Sequence, residues 1–406
     1  MLICKHNLRI CNNIASMKFY PIKSIQSLTA LAALSVTLGT LVACSNPSTT
    51  SAEPTLSSVI GNRFTIGAAV NGEQMAGRDP LSVAIVRKHF NSIVAENEMK
   101  CENIHPFEDV YDFAGADSLV NFGTENNMEI IGHCLIWHSQ CAPWFCVDSL
   151  GNEVAPEVLR ERIREHITTI VSRYKGKVHG WDVVNEVVVE DGSFRNTPFF
   201  RILGTEFIYE AFRIAHEADP DAELYINDYG MTAPGRLQTT LAIVDTLRAR
   251  GLRIDGVGLQ GHMGMDYPSI ESKEQCILAF KAKNIPVMIT EWDMSALPTV
   301  TMSANIADGD TIRATPENDP YAQALPDSVS QLWNSRMAQF LNLFIRHSDV
   351  VKRVTFWGVT DAMSWKNDFP IFGRHDYPLP FDRMGQPKSF VKDLLDNGIQ
   401  SDNNGN

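Results

Sequence analysis

Eight times between Phe64 and Trp357 a short apolar run gives way to a longer stretch of helical period, and this alternation restricts the fold of the 406-residue chain more than any other property. The runs lie at Phe64–Val70, Asn91–Ala95, Met128–Leu135, Val178–Val184, Ala222–Ile226, Ile254–Leu259, Pro286–Thr290 and Val351–Trp357. The intervals predict helices over Pro80–Phe90, Gly115–Asn126, Pro156–Tyr174, Phe199–Ala218, Arg236–Arg250, Ile270–Ala282, Asp327–Arg346 and Pro387–Leu395. Strand then helix, repeated eight times, implies an α/β fold, a single (β/α)8 TIM barrel over residues 60–397. Pro156 suits the first turn of a helix, Gly176 and Gly251 the turn after one, and Pro286 a strand start where no ladder donor is needed. Met294–Pro326, rich in Thr, Pro, Asp and Ala, reads as a long loop after strand seven.

Residues 1–44 differ from the rest: they hold no Asp or Glu, and an apolar run from Leu28 to Ala43 precedes Cys44. With translation from Met17, Lys18 and Lys23 supply a basic start, and Leu41-Val42-Ala43-Cys44 has the form of a bacterial lipoprotein signal, with Cys44 as the lipidated residue. Export to the cell envelope, on the periplasmic face or the cell surface, and anchoring to its membrane are expected. A plain secretory signal or a signal anchor is the alternative. Residues 45–59 read as a flexible tether and 398–406 as a disordered tail. The net charge of −13 argues against binding nucleic acid, whose phosphates need a basic surface. Beyond Cys44 five cysteines remain, an odd number; Cys141 and Cys146 could pair, or all five could be buried free thiols.

A barrel places its chemistry where its strands end. Here those positions carry Glu96-Asn97 with Lys100, His133 leading to Trp137 and Gln140, Asn185-Glu186, Asn227-Asp228-Tyr229, Gln260-Gly261-His262, Glu291-Trp292-Asp293, and Trp357 followed by Trp365. Glu186 and Glu291 end strands four and seven, on opposite sides of the ring, so their carboxyl groups can face each other. Such a pair suits glycosidic cleavage, one acid protonating the leaving oxygen while the other attacks or stabilises the anomeric carbon. Val183, Val184, Val187 and Val188 surround Glu186 with apolar groups, which makes it the better acid. His262 and Asp293 are placed to hold Glu291 ionised. Asn185 reaches the same side only if the backbone bends there. Lys100, His133, Gln140 and Gln260 offer donors to hydroxyls, and Trp137, Trp357 and Trp365 offer flat faces for sugar rings.

In these motifs the chain resembles the glycoside hydrolase family 10 endo-1,4-β-xylanases: Glu96-Asn97-Glu98-Met99-Lys100, Gly132-His133 through Trp137-His138, Trp181 through Glu186, Asn227-Asp228-Tyr229, Gln260-Gly261-His262, Thr290 through Asp293, and Trp357 with Ser364-Trp365. The resemblance implies a retaining mechanism with Glu186 as acid/base, Glu291 as nucleophile, and His262 and Asp293 supporting it. It implies that Glu96, Asn97, Lys100, His133, Trp137, Gln140, Asn185, Gln260, Trp357 and Trp365 contact the substrate, with Asn227 and Tyr229 on the leaving-group side. No cofactor and no metal is implied, the partner is xylan or a xylo-oligosaccharide, and a monomer is expected.

Three features depart from the family pattern: Trp292 between nucleophile and Asp293, Cys134 after His133, and the length of Met294–Pro326. All three are expected to alter cleft shape. The rival readings are a β-1,4-glucan or mixed-linkage glucan hydrolase, a non-catalytic sugar-binding lipoprotein, which has no need of both glutamates, and a metal-dependent hydrolase built on His133, His138, His262 and Asp293. The histidines form no H-x-H or H-E-x-x-H pair.

Overall fold

A computed structural model describes residues 53–299 and 312–399. The signal segment with Cys44, most of the tether and the tail beyond 399 lie outside the described residues. Eight strands form one closed parallel ring: β1 Thr65–Val70, β2 Ser92–Ala95, β3 Glu129–Ile136, β4 Gly180–Asn185, β5 Glu223–Asp228, β6 Gly256–Leu259, β7 Val287–Met294 and β8 Val351–Phe356. Each pairs with the next in chain order, and β8 closes on β1 through Thr65 opposite Arg353. Around the ring run α1 Pro80–His89, α2 Ala114–Glu125, α3 Pro156–Arg173, α4 Glu206–Ala218, α5 Pro234–Ala249, α6 Ile270–Ala282, α7 Asp327–Arg346 and α8 Ser389–Asn397.

Strand parity sorts the side chains into two layers. Ala68, Ile93 and Ile130 pack outward into the large core shared with the helices, whereas Ala69, Val94 and Ile131 join Trp357 in a small separate cluster. Gly67 lets the ring close beside Ser92 and Thr355, since a Cβ there would stand 2.9 Å from the Thr355 hydroxyl. The helices begin where the chain supplies their missing caps: Asp79 accepts from the Ser82 N–H ahead of Pro80, and Ser269 from the Ser272 N–H at the head of α6.

Four expectations are corrected. The helix expected over Phe199–Ala218 is two, Pro198–Leu203 and α4, because Gly204 takes a φ of 59° and ends the first. The tether ends earlier: Thr55 caps a helix at Leu56–Ile60, whose Leu56 and Ile60 lie four apart and bury against the barrel. Ile399 still packs on the core. Strand seven runs to Met294 rather than Thr290, because the two-residue strand His262–Met263 pairs with Asp293 and Met294. Of the long loop, residues 300–311 lie outside the described residues, and Ile312–Arg313 pairs in parallel with Ile371–Phe372.

Candidate active site

The strand ends open on a cleft of about 320 Å³ that both glutamates line. Two backbone features aim them. The register of β4 on β5 slips between Asp182 and Val184, and Glu186, just past the strand, has a φ of 57°, outside the range most side chains accept. This is the bend that Asn185 required, and Asn185 and Glu186 both reach the same hydrogen-bond network. Across the ring Glu291 and Asp293 alternate with Trp292, so both carboxylates face inward while Trp292 points away.

One network joins the two glutamates. Asn227 Nδ2 donates to Glu291 Oε1 at 2.6 Å and to Asn185 Oδ1 at 3.0 Å. Gln260 Nε2 donates to Glu186 Oε1 at 3.1 Å and to the same Asn185 oxygen at 3.4 Å. Asn227 is itself oriented by the Thr290 hydroxyl, which donates to its Oδ1 at 2.6 Å. Gly258 leaves room for that amide, since a Cβ there would fall 2.2 Å from Asn227 Oδ1. Asn227 is fully buried and does not line the cleft, so it lies beneath the carboxylates rather than on the leaving-group side.

The two carboxyl groups are driven apart electrostatically. Burial raises the pKa of Glu186, and the Glu291 charge raises it further against the Gln260 hydrogen bond. Glu186 Oε2 has no hydrogen-bond partner among the described residues. Burial would also raise Glu291, but the His262 hydrogen bond, the His133 and His262 rings and the Asn227 amide hold it below the ordinary value. His262 Nε2 donates to Glu291 Oε2 at 3.0 Å and Nδ1 to Asp293 Oδ2 at 2.9 Å. Burial disfavours its charged form, yet Asp293 and Glu291 raise its pKa to about 9, so both ring nitrogens carry protons near neutrality. The Trp365 indole donates to Asp293 at 2.9 Å, and Lys366 Nζ lies 3.4 Å from its other oxygen.

Lys100, His133, Trp137, Asn185, Tyr229, Gln260, Trp357 and Trp365 all line the cleft as expected of contacts. Lys100 Nζ is fixed by Asn97 at 2.9 Å and Gln140 at 2.7 Å and stands 5.1 Å over the Trp137 ring. Asn97 and Gln140 flank that lysine and Glu96 accepts from Asn71 at 3.3 Å, all three side chains half-buried. His133 Nδ1 lies 2.9 Å from Asp182 Oδ2, and its ring packs on Trp357.

The departures fall away from the cleft in two cases. Trp292 is fully buried, stacked 4.8 Å from Phe356 between barrel and helices, so it does not shape the cleft. Cys134 is buried and lines no part of the cleft wall. The long loop does contribute, through Leu297, Pro298 and Thr299. Cys141 and Cys146 are free thiols, with Cys141 Sγ 3.9 Å from Cys101 Sγ. His262 and Asp293, central to the metal reading, are engaged with each other and Glu291. Among the described residues no three His, Cys, Asp or Glu side chains form a metal-binding group.

Three supporting residues have no role assigned from the sequence: Asp182, Arg195 and Asp228. Asp182 is a carboxylate within an otherwise apolar strand, a signal that could have found it. Arg195 donates to the Glu186 carbonyl at 2.9 Å and to the Tyr229 hydroxyl at 2.8 Å, from a loop that carries no signal. Asp228, fully buried, accepts from the Val188 N–H at 3.2 Å, and burial raises its pKa to about 7 against the nearby Arg236.

A closed (β/α)8 barrel carrying a neutral-tending and an ionised glutamate at its mouth has the architecture of a barrel glycosidase. The chain belongs to glycosyl hydrolase family 10, whose profile it matches over residues 55–397. It is 42% identical over 343 residues to endo-1,4-β-xylanase A of Xylanibacter ruminicola, an alignment covering 84% of this chain and 93% of that one. It is 36% identical to an endo-1,4-β-xylanase of Geobacillus stearothermophilus, covering 82% and 96% respectively. Among solved structures, a GH10 endoxylanase retrieved from a sugarcane soil metagenome superposes with a TM-score of 0.80 at 36% identity, over 85% of this chain and all of that one.

Proposed function

We propose that the protein is an endo-1,4-β-xylanase that cleaves xylan with retention of configuration by double displacement. The observation that carries this reading is the opposed environment of two glutamates tied into one amide network, Glu186 tending to hold its proton and Glu291 to lose it. In the first step Glu291 attacks the anomeric carbon as Glu186 protonates the departing oxygen, leaving a xylosyl ester on Glu291. In the second, Glu186, now a carboxylate, takes a proton from water that attacks the same carbon, which releases Glu291 and restores the Glu186 proton. The route needs carboxyl groups about 5–5.5 Å apart. Asn227 and His262 hold the nucleophile on two different oxygens, so its reactive lone pair has a defined direction.

The xylanase names of the relatives support xylan over glucan as substrate. Reducing-sugar release from xylan, cellulose and mixed-linkage glucan, with the product anomer followed by NMR, tests substrate and stereochemistry together. Release from xylan with the β-anomer appearing first is expected; glucan preference or an initial α-anomer overturns the reading. The proposal extends to export, with lipid on Cys44. A Cys44→Ser variant is then expected to leave the membrane fraction, and unchanged membrane association contradicts the anchor.

A further inference from the structure

We propose that Cys101 and Cys141 form a disulfide on oxidation by a small-molecule disulfide, a covalent tie between the two segments that hold the cleft lysine Lys100. This thiol site lies outside the catalytic pair and is independent of which polymer the cleft takes.

Three of the cysteines gather where β2 and β3 end. Cys101 opens the one-turn helix Cys101–Ile104 after β2, and Cys141 and Cys146 follow β3. The Cys141 thiol donates to Cys101 Sγ at 3.9 Å, across 40 residues of chain. The backbones beside this pair are already joined: the Glu102 N–H donates to the Gln140 carbonyl at 3.0 Å and the Ala142 N–H to Cys101 Sγ at 3.5 Å. A disulfide needs its sulfurs about 2.05 Å apart, so Cys141 Sγ has to advance by roughly 1.9 Å, within the sweep of a χ1 rotation. Cys141 is half-buried whereas Cys101 and Cys146 are buried, so Cys141 is the thiol an oxidant meets first. Cys146 also neighbours Cys141, but it sits on the same loop and a link to it would close a span of only five residues. Closing the longer loop removes more freedom from the unfolded chain and is favoured.

The place of the pair gives the link its consequence. Lys100 directly precedes Cys101, and Gln140 directly precedes Cys141. Lys100 Nζ donates to Gln140 Oε1 at 2.7 Å, and Gln140 has a φ of 45°, a backbone conformation that its contacts must hold in place. A disulfide one residue further along fixes both backbones at once.

The chemistry balances with a disulfide R–S–S–R as oxidant. The Cys141 thiolate attacks one sulfur, forming Cys141–S–S–R and releasing RS⁻, which takes up the proton that Cys141 lost. Cys101 then attacks Cys141 Sγ, the bond to the R sulfur breaks, and a second RSH leaves with the Cys101 proton. The two cysteines lose two electrons and two protons, and the oxidant becomes two thiols. The neighbouring Cys101 and Cys146 thiols, and then burial, push the Cys141 thiol well up, so little thiolate is present in the folded protein near neutral pH. The link therefore forms most readily as the chain folds. Export, as proposed above, would bring the chain to a compartment where disulfides persist.

The test uses purified protein, so its result depends neither on export nor on the polymer cleaved. Wild type is refolded in reduced and oxidised glutathione, its remaining thiols are alkylated without reduction, and its peptides are mapped by mass spectrometry. A linked peptide joining Cys101 to Cys141 is expected, with Cys146 alkylated, and the same link is expected in Cys146→Ser. Reductant is expected to lower the melting midpoint of oxidised wild type by about 5 °C and to leave that of Cys141→Ser unmoved. A link between Cys141 and Cys146, or full alkylation of Cys101 and Cys141 after oxidative refolding, overturns the proposal. Should Cys141→Ser not fold, the wild-type peptide map decides alone.

Discussion

Asn227 Nδ2 lies 2.6 Å from Glu291 Oε1, closer than the imidazole of His262, which stands 3.0 Å from the other oxygen. A neutral amide thus shares with a charged ring the task of keeping a buried carboxylate ionised. A hydrogen bond to a charged group is worth about 1.5–3 kcal/mol, which corresponds to roughly 10- to 100-fold in rate where the charge is used. Asn227→Ala is expected to lower kcat by that factor and to move the acid limb of the pH–rate profile upward. Steady-state kinetics across pH measures both; an unshifted acid limb would show that Asn227 serves the fold and not the nucleophile.

Gly258 protects the same contact. A Cβ would stand 2.2 Å from Asn227 Oδ1 and 2.9 Å from Thr290 Cγ2, so the amide must move. Gly258→Ala is expected to cost about 1–3 kcal/mol of stability and to reduce kcat alongside, measured by denaturant unfolding and xylan turnover. Full activity in a destabilised variant would break the proposed link between the glycine and the carboxylate.

Glu186 and Glu291 are coupled, since the Glu291 charge raises the Glu186 pKa. Glu291→Gln removes that charge, so Glu186 is expected to titrate at lower pH, as NMR of a labelled Glu carboxyl reports. An unchanged titration would mean that burial alone sets the acid.

Glu186→Ala separates acid from nucleophile by leaving-group chemistry. General-acid assistance is worth about 10²–10⁴-fold, and an activated phenol hardly needs it. Hydrolysis of xylan is expected to fall by that order while formation of the covalent intermediate from a dinitrophenyl xylobioside is spared. Comparable losses on both substrates would remove Glu186 from the acid role.

His262 links the site to stability. Its folded pKa of about 9 lies above the ordinary 6.5, so its stabilising contribution is complete below about pH 6.5 and is lost as pH rises through 9. Thermal unfolding of the wild type is expected to shift downward across that window more than that of His262→Gln. Parallel curves for the two proteins would show that His262 is not protonated in the fold.

The barrel was legible because buried parallel strands are nearly continuous apolar runs, and those runs end where charge begins. Glu186 and Glu291 followed from that rule. The Asn185 bend was legible only as a condition, since an extended strand would turn it away from Glu186 and the sequence does not encode the slip of β4 on β5. The family resemblance places Asn227 on the leaving-group side; its contact with Glu291 depends on Gly258 in the next strand, a relation invisible along the chain. Trp292 was assigned to the cleft by adjacency to Glu291, although alternation along β7 points it to the opposite layer. Gly204 lay inside a helical pattern, and its left-handed backbone, not its hydropathy, divides that helix.

The most direct measurement is mass spectrometry of the enzyme after reaction with a 2-deoxy-2-fluoro-xylobioside bearing an activated leaving group, which slows release of any covalent intermediate. The account predicts one added fluoroxylobiosyl group per chain, on the peptide containing Glu291. A label on Glu186, or none on an enzyme that turns over the unfluorinated aryl xylobioside, would contradict it.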